Sequence, residues 1–500
     1  MKKNFNLLLV ALCSLSMLVS CGTNTSHDNS TNGSSSFDSS YNGEQEQITL
    51  RIACQTMYGG NSANENNYPM VLAIRKFEEE HKNIKVEILR APQVPNADET
   101  GTVEQDWVEY LTTLASSNQF PDLFMAPNMP NVLMQGWCYD LTDLTKNDKD
   151  FHLLYEDFAK SGQFFEHQFA LPFCYEFFGY FVNKTLFENN NMDYPEFGVT
   201  VDDLIGQAKS ITQLVDGGPS VIGISGGGNM FNYMATQFDN SLGWFAWNEN
   251  TKTFDLKSDA FRKGLEYSLA FYSGTDYSND ALTDEDRERY FNDPQWINAW
   301  WNGNEAIHFD YSSMLTNLIN AKNTGEINFD FDFIGIPKGN ETVEPSVPVK
   351  ATYMMIGNQT KHPNEAYELL KALTYDPDYY AYKLKMSREN ENVLPWTFAP
   401  LTNDEIASKA FFDETFPNFP ELKKVIENGN FYFDLWATQP GFEYARWNME
   451  YQEGVKMDDI LTQICVTGKQ KLGDHVDEIC RLMNEYISSC YDTLKDIYDL

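Results

Sequence analysis

Two stretches of the sequence carry side chains that could do chemistry, and the first is the aromatic run from Phe169 to Phe187. It surrounds Pro172 and a single carboxylate, Glu176. A buried carboxylate is costly unless something donates a hydrogen bond to it. A cleft for a polyhydroxylated ligand supplies such donors, because sugar rings stack on aromatic faces while their hydroxyls find polar partners. The run favours such a site, and a core strand with Glu176 facing solvent is the alternative.

The second stretch is Gly223–Gly227, which matches the G-x-S-x-G pattern of a nucleophile elbow and follows a predicted strand. Ser225 would then be the nucleophile of a serine hydrolase. Against this, an elbow serine opens a helix, and three consecutive glycines start a helix poorly. A loop is therefore favoured, with the hydrolase kept as an alternative. Histidines that could complete a triad lie downstream, at His308, His362 and His475.

The sequence predicts no metal site, no cofactor and no nucleic-acid partner. Its seven histidines are scattered, and no H-E-x-x-H, EF-hand or P-loop pattern is found. The formal net charge of -37 would repel phosphates.

The N-terminus has the pattern of an export signal. Lys2 and Lys3 precede an apolar run from Phe5 to Val19, which is too short for a spanning helix. The run ends in Leu-Val-Ser-Cys-Gly around Cys21, which resembles the bacterial lipobox. This resemblance implies a signal peptide over residues 1–20 and a lipid anchor, with diacylglyceryl and palmitate, on Cys21. A plain secretory signal with an incidental cysteine is the alternative.

The next segment, residues 21–47, is rich in Ser, Asn, Thr and Gly and has too little apolar content to fold. We expect a disordered tether there. Six cysteines follow at irregular spacing, which fits neither a disulfide framework nor a zinc site. We expect free thiols, with a pairing of Cys480 and Cys490 left open.

The pattern of apolar residues in the remaining chain predicts alternating strands and helices. Alternating apolar residues predict strands at Ile48–Ile52 and Ile84–Ile88, with a helix around Met70–Phe77 between them. A strand, a helix and a strand within about forty residues favour a parallel pair with a right-handed crossover. The sequence therefore predicts an α/β fold with two lobes. Further helices are expected around Trp107–Leu114, Asp202–Ile211, Phe261–Tyr272 and Val476–Ile487, and further strands at Pro121–Met125, Val221–Ile224, Ala306–Phe309 and Phe329–Phe333.

Taken together, these segments resemble the extracellular solute-binding proteins of ABC importers, in the sugar-binding family that includes maltose-binding protein. The resemblance implies a two-lobed periplasmic-binding-protein-like fold of type II, with lobes joined by a multi-crossing hinge. It places crossings near Leu171-Pro172, Pro348–Thr352 and Leu394–Trp396. The implied lobes are 48–171 plus 351–395 and 172–350 plus 396–500. The matching segments are 73–79 with 84–86, 120–124, 136–142, 170–172 with 181–187, 200–209, 303–307 and 363–367.

The same resemblance implies which residues face the cleft between the lobes. The ligand-binding positions it suggests are Tyr58, Asn61, Asn128, Tyr175, Glu176, Asn229, Phe231, Asp310, Tyr311, Trp436 and Arg446, and Trp447 could also reach the cleft. The family carries out no catalysis, so no catalytic residue is expected.

Our hypothesis is a monomeric receptor held by Cys21 on the outer face of the cell membrane. It would bind a carbohydrate, most simply an oligosaccharide, and deliver it to the permease subunits of an ABC importer. The alternatives are a lipid-anchored serine hydrolase using Ser225, a binding protein for a non-sugar solute such as a peptide, and a surface adhesin without a permease.

Overall fold

The computed structural model describes residues 46–96, 101–215, 218–274, 276–292 and 298–500. The predicted signal peptide, Cys21 and nearly all of the predicted tether lie outside these residues. Gln47–Leu500 pack as one compact unit.

The strands alternate with helices along most of the chain. They are β1 (Ile48–Ala53), β2 (Ile84–Leu89), β3 (Gln93–Pro95), β4 (Thr102–Glu104), β5 (Leu123–Ala126), β6 (Gln163–Phe164), β7 (His167–Gln168), β8 (Leu171–Asn183), β9 (Gln213–Val215), β10 (Gly218–Ile224), β11 (Trp247–Asn248), β12 (Thr253–Phe254), β13 (Glu305–Tyr311), β14 (Phe331–Phe333), β15 (Ser346–Ile356), β16 (Asn430–Phe433), β17 (Glu450–Gln452) and β18 (Val455–Lys456).

The α-helices are α1 (Thr56–Gly59), α2 (Pro69–Glu80), α3 (Trp107–Ser116), α4 (Met129–Leu133), α5 (Thr142–Asn147), α6 (Glu156–Ser161), α7 (Lys184–Asn189), α8 (Val201–Ile211), α9 (Met230–Phe238), α10 (Asp259–Ser273), α11 (Asp284–Phe291), α12 (Asn298–Trp301), α13 (Met314–Thr324), α14 (Pro363–Leu373), α15 (Pro377–Glu389), α16 (Glu405–Ser408), α17 (Pro420–Asn428), α18 (Leu435–Thr438), α19 (Met457–Cys465) and α20 (Leu472–Tyr498). Short 3₁₀ turns and two π-helical turns, Lys409–Asp413 and Tyr444–Asn448, complete the helical segments of the described residues.

One mixed sheet organises the chain, in the order β2-β1-β5-β15-β8-β13-β10-β9, with β14 beside β8 and β16 beside β15. The strands β2, β1 and β5 are parallel to one another, as are β13 and β10. Between these two groups, β15 and β8 run antiparallel to each other. These two central strands are the longest of the sheet, with 11 and 13 residues, and they connect its two halves.

The predicted elements around the first half are confirmed. The alternating apolar residues of β1 are buried while Thr49 between them is exposed. Pro69 begins α2, where its fixed φ and missing N–H are tolerated. Met70, Ile74 and Phe77 bury the apolar face of that helix, and β1 and β2 are parallel as expected. The predicted segments later in the chain are confirmed as well, as α3, β5, α8, β10, α10, β13, β14 and α20.

The last helix packs against both halves. The 27 residues of α20 span about 40 Å. Its first two thirds, including Val476 and Met483, join a core with residues of α10 and α19. Its end packs elsewhere, because the ring of Tyr498 lies 4.6 Å from that of Phe169 and its hydroxyl donates to Leu133 O at 3.2 Å. The helix therefore ties the two halves together from the C-terminus.

Candidate functional site

The centre of the site is the face of β8 that carries Glu176. Successive residues of a strand point to opposite faces. Tyr175 therefore packs on Phe158, with ring centroids 4.5 Å apart, while Glu176 and Phe178 face the other way. On that face the ring of Phe178 lies 4.4 Å from that of Tyr311, which is 40% exposed.

Lys350 of β15 lies directly opposite Glu176 in the antiparallel ladder. Both side chains are half-buried. The ammonium group of Lys350 lies 5.8 Å from the ring centroid of Trp436. The sheet thus places a carboxylate, an ammonium group and an indole side by side.

Trp436 also lines a cavity of about 390 Å³. The carboxyl ends of the parallel strands β1 and β5 open onto it, the place where α/β sheets bind ligands. Gln55 follows β1, and Ala126 ends β5. Trp436 and Glu443, which also line it, belong to the segment that follows β16. The lining is Gln55, Glu104, Gln105, Asp106, Trp107, Val108, Ala126, Pro127, Asn128, Asn131, Val132, Trp436 and Glu443.

Polar contacts cross this cavity from one segment to the other. Asn128 caps α4, because its Oδ1 accepts a hydrogen bond from the backbone N–H of Asn131 at 3.2 Å. Its Nδ2 donates to Glu443 Oε2 at 3.0 Å, and the Nδ2 of Asn131 donates to the same oxygen at 3.2 Å. Glu443 therefore joins α4 to the segment after α18 through a charged acceptor.

Asp434 holds Trp436 in place. Its Oδ1 accepts from the backbone N–H of Trp436 at 2.9 Å and so caps α18. Burial raises the pKa of Asp434 to about 6, although the Trp436 N–H and the charge of Lys350 both act to lower it. The backbone at Trp436 is thus held by a carboxyl group that takes up a proton in mildly acidic solution.

The structure brings some of the predicted ligand residues together. Asn128 and Trp436 line the same cavity. Glu176 is not part of its lining, but it is near Tyr58 and Tyr311: burial raises the pKa of both hydroxyls, and the Glu176 carboxylate raises it further. Tyr58 is mostly buried, with its hydroxyl accepting from Cys174 Sγ at 3.4 Å. These residues form one group around the central strands.

Other predicted residues lie at the surface or in the interior. Asn61 is in an exposed turn, and Asn229 is exposed just before α9. Tyr175 is 1% exposed, and its hydroxyl donates to Pro400 O at 3.1 Å. Phe231 is buried in a core with α19 and α20. In this structure, Tyr175 and Phe231 serve packing.

Arg446 and Asp310 have partners within the protein. Arg446 pairs with Asp458 at 2.7 Å, and its guanidinium lies 5.6 Å from the ring centroid of Phe245. Asp310 Oδ1 accepts from the Tyr311 backbone N–H, and Oδ2 lies 3.5 Å from His308 Nε2. Sequence reasoning missed Gln55, Lys350 and Glu443. Only Gln55 carried a usable signal, since it directly follows a predicted strand.

The Ser225 cluster does not have the geometry of a catalytic triad. Ser225 donates to Glu305 and lies 3.1 Å from His308 Nδ1, the nitrogen that also contacts Glu305 at 2.6 Å. In a triad the serine and the acid contact different ring nitrogens. Ser225 is fully buried, and the left-handed residue of the turn is Gly226. This arrangement disfavours the hydrolase.

A larger groove of about 660 Å³ lies away from the predicted residues. It runs past Phe164, Phe165 and Tyr491, and Trp247 lines an adjoining cavity of about 280 Å³. Its lysines are neutralised by neighbouring carboxylates, so the groove offers no unpaired cation. The pairs are Lys160 with Glu156, Lys252 with Glu249 and Lys495 with Asp492.

The described residues show neither a metal site nor a membrane-spanning helix. No group of three potential metal ligands occurs among them. No helix in that part of the chain is both long and apolar enough to span a bilayer. Cys480 and Cys490 are free thiols, as are Cys54, Cys138, Cys174 and Cys465.

Comparison with solved structures shows the fold. A sugar transporter from Rhizobium etli in an open conformation has a TM-score of 0.64 at 14% identity, over 88% of this chain and 99% of that one. The cyclic α-maltosyl-1,6-maltose binding protein of Arthrobacter globiformis has a TM-score of 0.61 at 15% identity, over 88% of this chain and 99% of that one. An ABC substrate-binding protein of Listeria monocytogenes in complex with cycloalternan has a TM-score of 0.57 at 14% identity, over 91% of this chain and 100% of that one. The predicted two-lobed α/β fold is confirmed.

The sequence itself identifies the family. No curated protein sequence is significantly similar to this chain. A family model described as bacterial extracellular solute-binding protein matches residues 62–377, which is more than half of the chain. The protein therefore belongs to the bacterial extracellular solute-binding proteins.

Proposed function

We propose that this protein binds a carbohydrate, most simply an oligosaccharide, in the cavity between α4 and α18 and releases it unaltered to the permease subunits of an ABC importer. One observation carries the proposal. Trp436 and Asn128 line one cavity although they are distant in the chain, and Lys350, which lies opposite Glu176 in the sheet, is 5.8 Å from the ring centroid of Trp436. An aromatic face with hydrogen-bonding groups around it suits a sugar, whose two faces are apolar and whose edge carries hydroxyls.

The family supports the binding of a solute, and the structural neighbours support a carbohydrate as that solute. The neighbour from Listeria is in complex with cycloalternan, and the neighbour from Arthrobacter is a cyclic α-maltosyl-1,6-maltose binding protein. A cavity of about 390 Å³ is within the usual size of small-molecule sites. We propose Asn128, Glu176, Tyr311 and Trp436 as ligand contacts, with Tyr58 as a mostly buried neighbour of Glu176.

The cellular setting is part of the proposal. Residues 1–20 would be removed on export, Cys21 would carry the lipid, and the following segment would hold the folded unit near the outer membrane face. We propose lobe boundaries near residues 171, 350 and 395, because the first two lie within the strands that connect the halves of the sheet.

Calorimetry with a panel of neutral mono- and oligosaccharides tests the ligand class. We expect at least one oligosaccharide to bind with a 1:1 stoichiometry. Trp436→Ala should weaken binding by roughly 1–3 kcal/mol, by analogy with base stacking on aromatic side chains. Trp447→Ala is the matched control, because Trp447 is 39% exposed and does not line the cavity. Peptide binding without any sugar binding would refute the ligand class, and equal affinity of both variants and the wild type would refute the site.

A further inference from the structure

Glu176 and Lys350 face each other on the central strands without forming a pair. Residues directly opposite in an antiparallel ladder have Cβ atoms about 5 Å apart. Neither side chain makes a hydrogen bond or an ion pair with any described residue. Because both are half-buried, each charge depends on water for the partner that the protein does not supply. Such groups gain when a ligand takes the place of that water.

The two charges lie on the same face of the sheet and act on overlapping sets of neighbours. The ammonium group of Lys350 lies over the ring of Trp436 and acts on the Asp434 carboxyl group. The Glu176 carboxylate acts on the hydroxyls of Tyr58 and Tyr311. Lys350 near Trp436 and Glu176 opposite Lys350 therefore place a donor and an acceptor next to each other near the cavity.

We propose that Lys350 is a specificity-determining residue that acts with Glu176 to select an uncharged sugar ring. Lys350 would donate to one hydroxyl of the ring, and Glu176 would accept from the same or a neighbouring hydroxyl. An ammonium group only donates and a carboxylate only accepts, whereas a hydroxyl does both and can join them. This inference rests on the proposed function and adds the charge class of the ligand to it.

The surrounding charges exclude the two charged alternatives. A uronate would satisfy Lys350 but would meet several carboxylates, which repel it at close range. An amino sugar would satisfy those carboxylates but would be held off Trp436 by Lys350, the cation that already lies over its ring. A neutral ring meets neither penalty. The carboxylates in question are Glu104, Asp106 and Glu443 of the cavity lining and Asp434 beside Trp436.

The experiment compares the wild type with Lys350→Met, Glu176→Gln and the double variant. Calorimetry is run with maltotriose, mannotriose and cellotriose as neutral probes, trigalacturonate as the uronate and chitosan trimer as the amino sugar. Lys85→Met is the matched control, because Lys85 is an exposed lysine on the outer strand β2. Thermal unfolding of each variant verifies that it is folded.

We expect each single variant to lower affinity for the neutral sugar about 10- to 100-fold, the range of a hydrogen bond to a charged group. The double variant should lose less than the product of the two effects, because one sugar ring joins both residues. Lys85→Met should bind as the wild type does.

The outcomes separate the two proposals. If no sugar binds the wild type, the proposed function fails and this inference fails with it. If a neutral sugar binds and Lys350→Met binds it equally well, only the role of Lys350 is refuted. If trigalacturonate or the chitosan trimer binds the wild type more tightly than every neutral probe, the assignment of an uncharged ligand is refuted.

Discussion

The buried contact between Glu305 and His308 should give the folded state a measurable pH dependence. His308 Nδ1 lies 2.6 Å from Glu305 Oε1, its Nε2 lies 3.5 Å from Asp310 Oδ2, and its ring stacks on Trp300 at 5.0 Å. Burial opposes the imidazolium charge, but the two carboxylates outweigh it and raise the pKa of His308 from 6.5 to about 9. His308 is therefore charged in the folded protein at neutral pH.

The sign and size of the effect follow from linkage. Below pH 6.5 the histidine is protonated in both the folded and unfolded states, so its stabilising contribution is fully present. Between pH 6.5 and about 9 the unfolded chain loses the proton first, and this contribution to the free energy of unfolding falls. At about 1.4 kcal/mol per pH unit, the total loss over the whole range is about 3 to 4 kcal/mol.

The assay measures the free energy of unfolding by urea titration at pH 6.0 and pH 9.5. The reference protein is Glu305→Gln/His308→Gln, because replacing the histidine alone would leave Glu305 buried without its cation. Other groups titrate in the same range, and burial lowers the pKa of Lys383 to about 7, which makes stability rise with pH. Such groups are present in both proteins, so they cancel in the difference.

We expect the wild type to lose about 3 kcal/mol relative to the reference between the two pH values. A difference that stays constant within about 0.5 kcal/mol would show that His308 is not charged in the folded state. It would refute the reasoning that the two carboxylates outweigh burial. If the free energy of unfolding of the wild type instead rises with pH relative to the reference protein, the predicted direction of the effect is wrong.

Three further predictions concern catalysis, packing and anchoring. A fluorophosphonate probe should not label the protein at Ser225, since that side chain is fully buried, and mass spectrometry that finds the adduct would restore the hydrolase. Gly179→Ala should lower the free energy of unfolding by roughly 2–3 kcal/mol, because a Cβ there would lie 2.5 Å from the carbonyl carbon of Gly335; an unchanged urea midpoint would contradict this. In cells, Cys21→Ser should move the protein from the membrane to the soluble fraction and remove palmitate labelling, whereas Cys54→Ser should leave both unchanged.

The elements of the first half follow from the sequence because their patterns are local. Alternation in β1, helical spacing in α2 and the position of Pro69 are each decided within a few residues. The same holds for α20, whose apolar positions recur at helical spacing, although its contact with both halves is a tertiary property.

The site was harder to predict because its residues meet across long sequence separations. Tyr175 and Glu176 are neighbours in one strand, and only the packing of Phe158 shows which of them faces the core. Lys350 gains its role from its register with Glu176, and Glu443 from Asn128, which is 315 residues earlier in the chain. Local periodicity contains no information about either pairing.

The proposed site also suggests which residues would supply affinity for the ligand and which would couple ligand binding to closure of the two halves. Glu176 and Lys350 lie on strands that connect both halves of the sheet, so we expect their positions relative to each other to stay the same if the halves move. A ligand shifts a conformational equilibrium only through contacts that differ between its states. The hydrogen bond from Asn128 to Glu443 joins segments 315 residues apart that line the same cavity, and we expect it to change if these segments move relative to each other. The central pair would therefore supply affinity and selectivity, while closure would depend on the residues that line the cavity from its two sides.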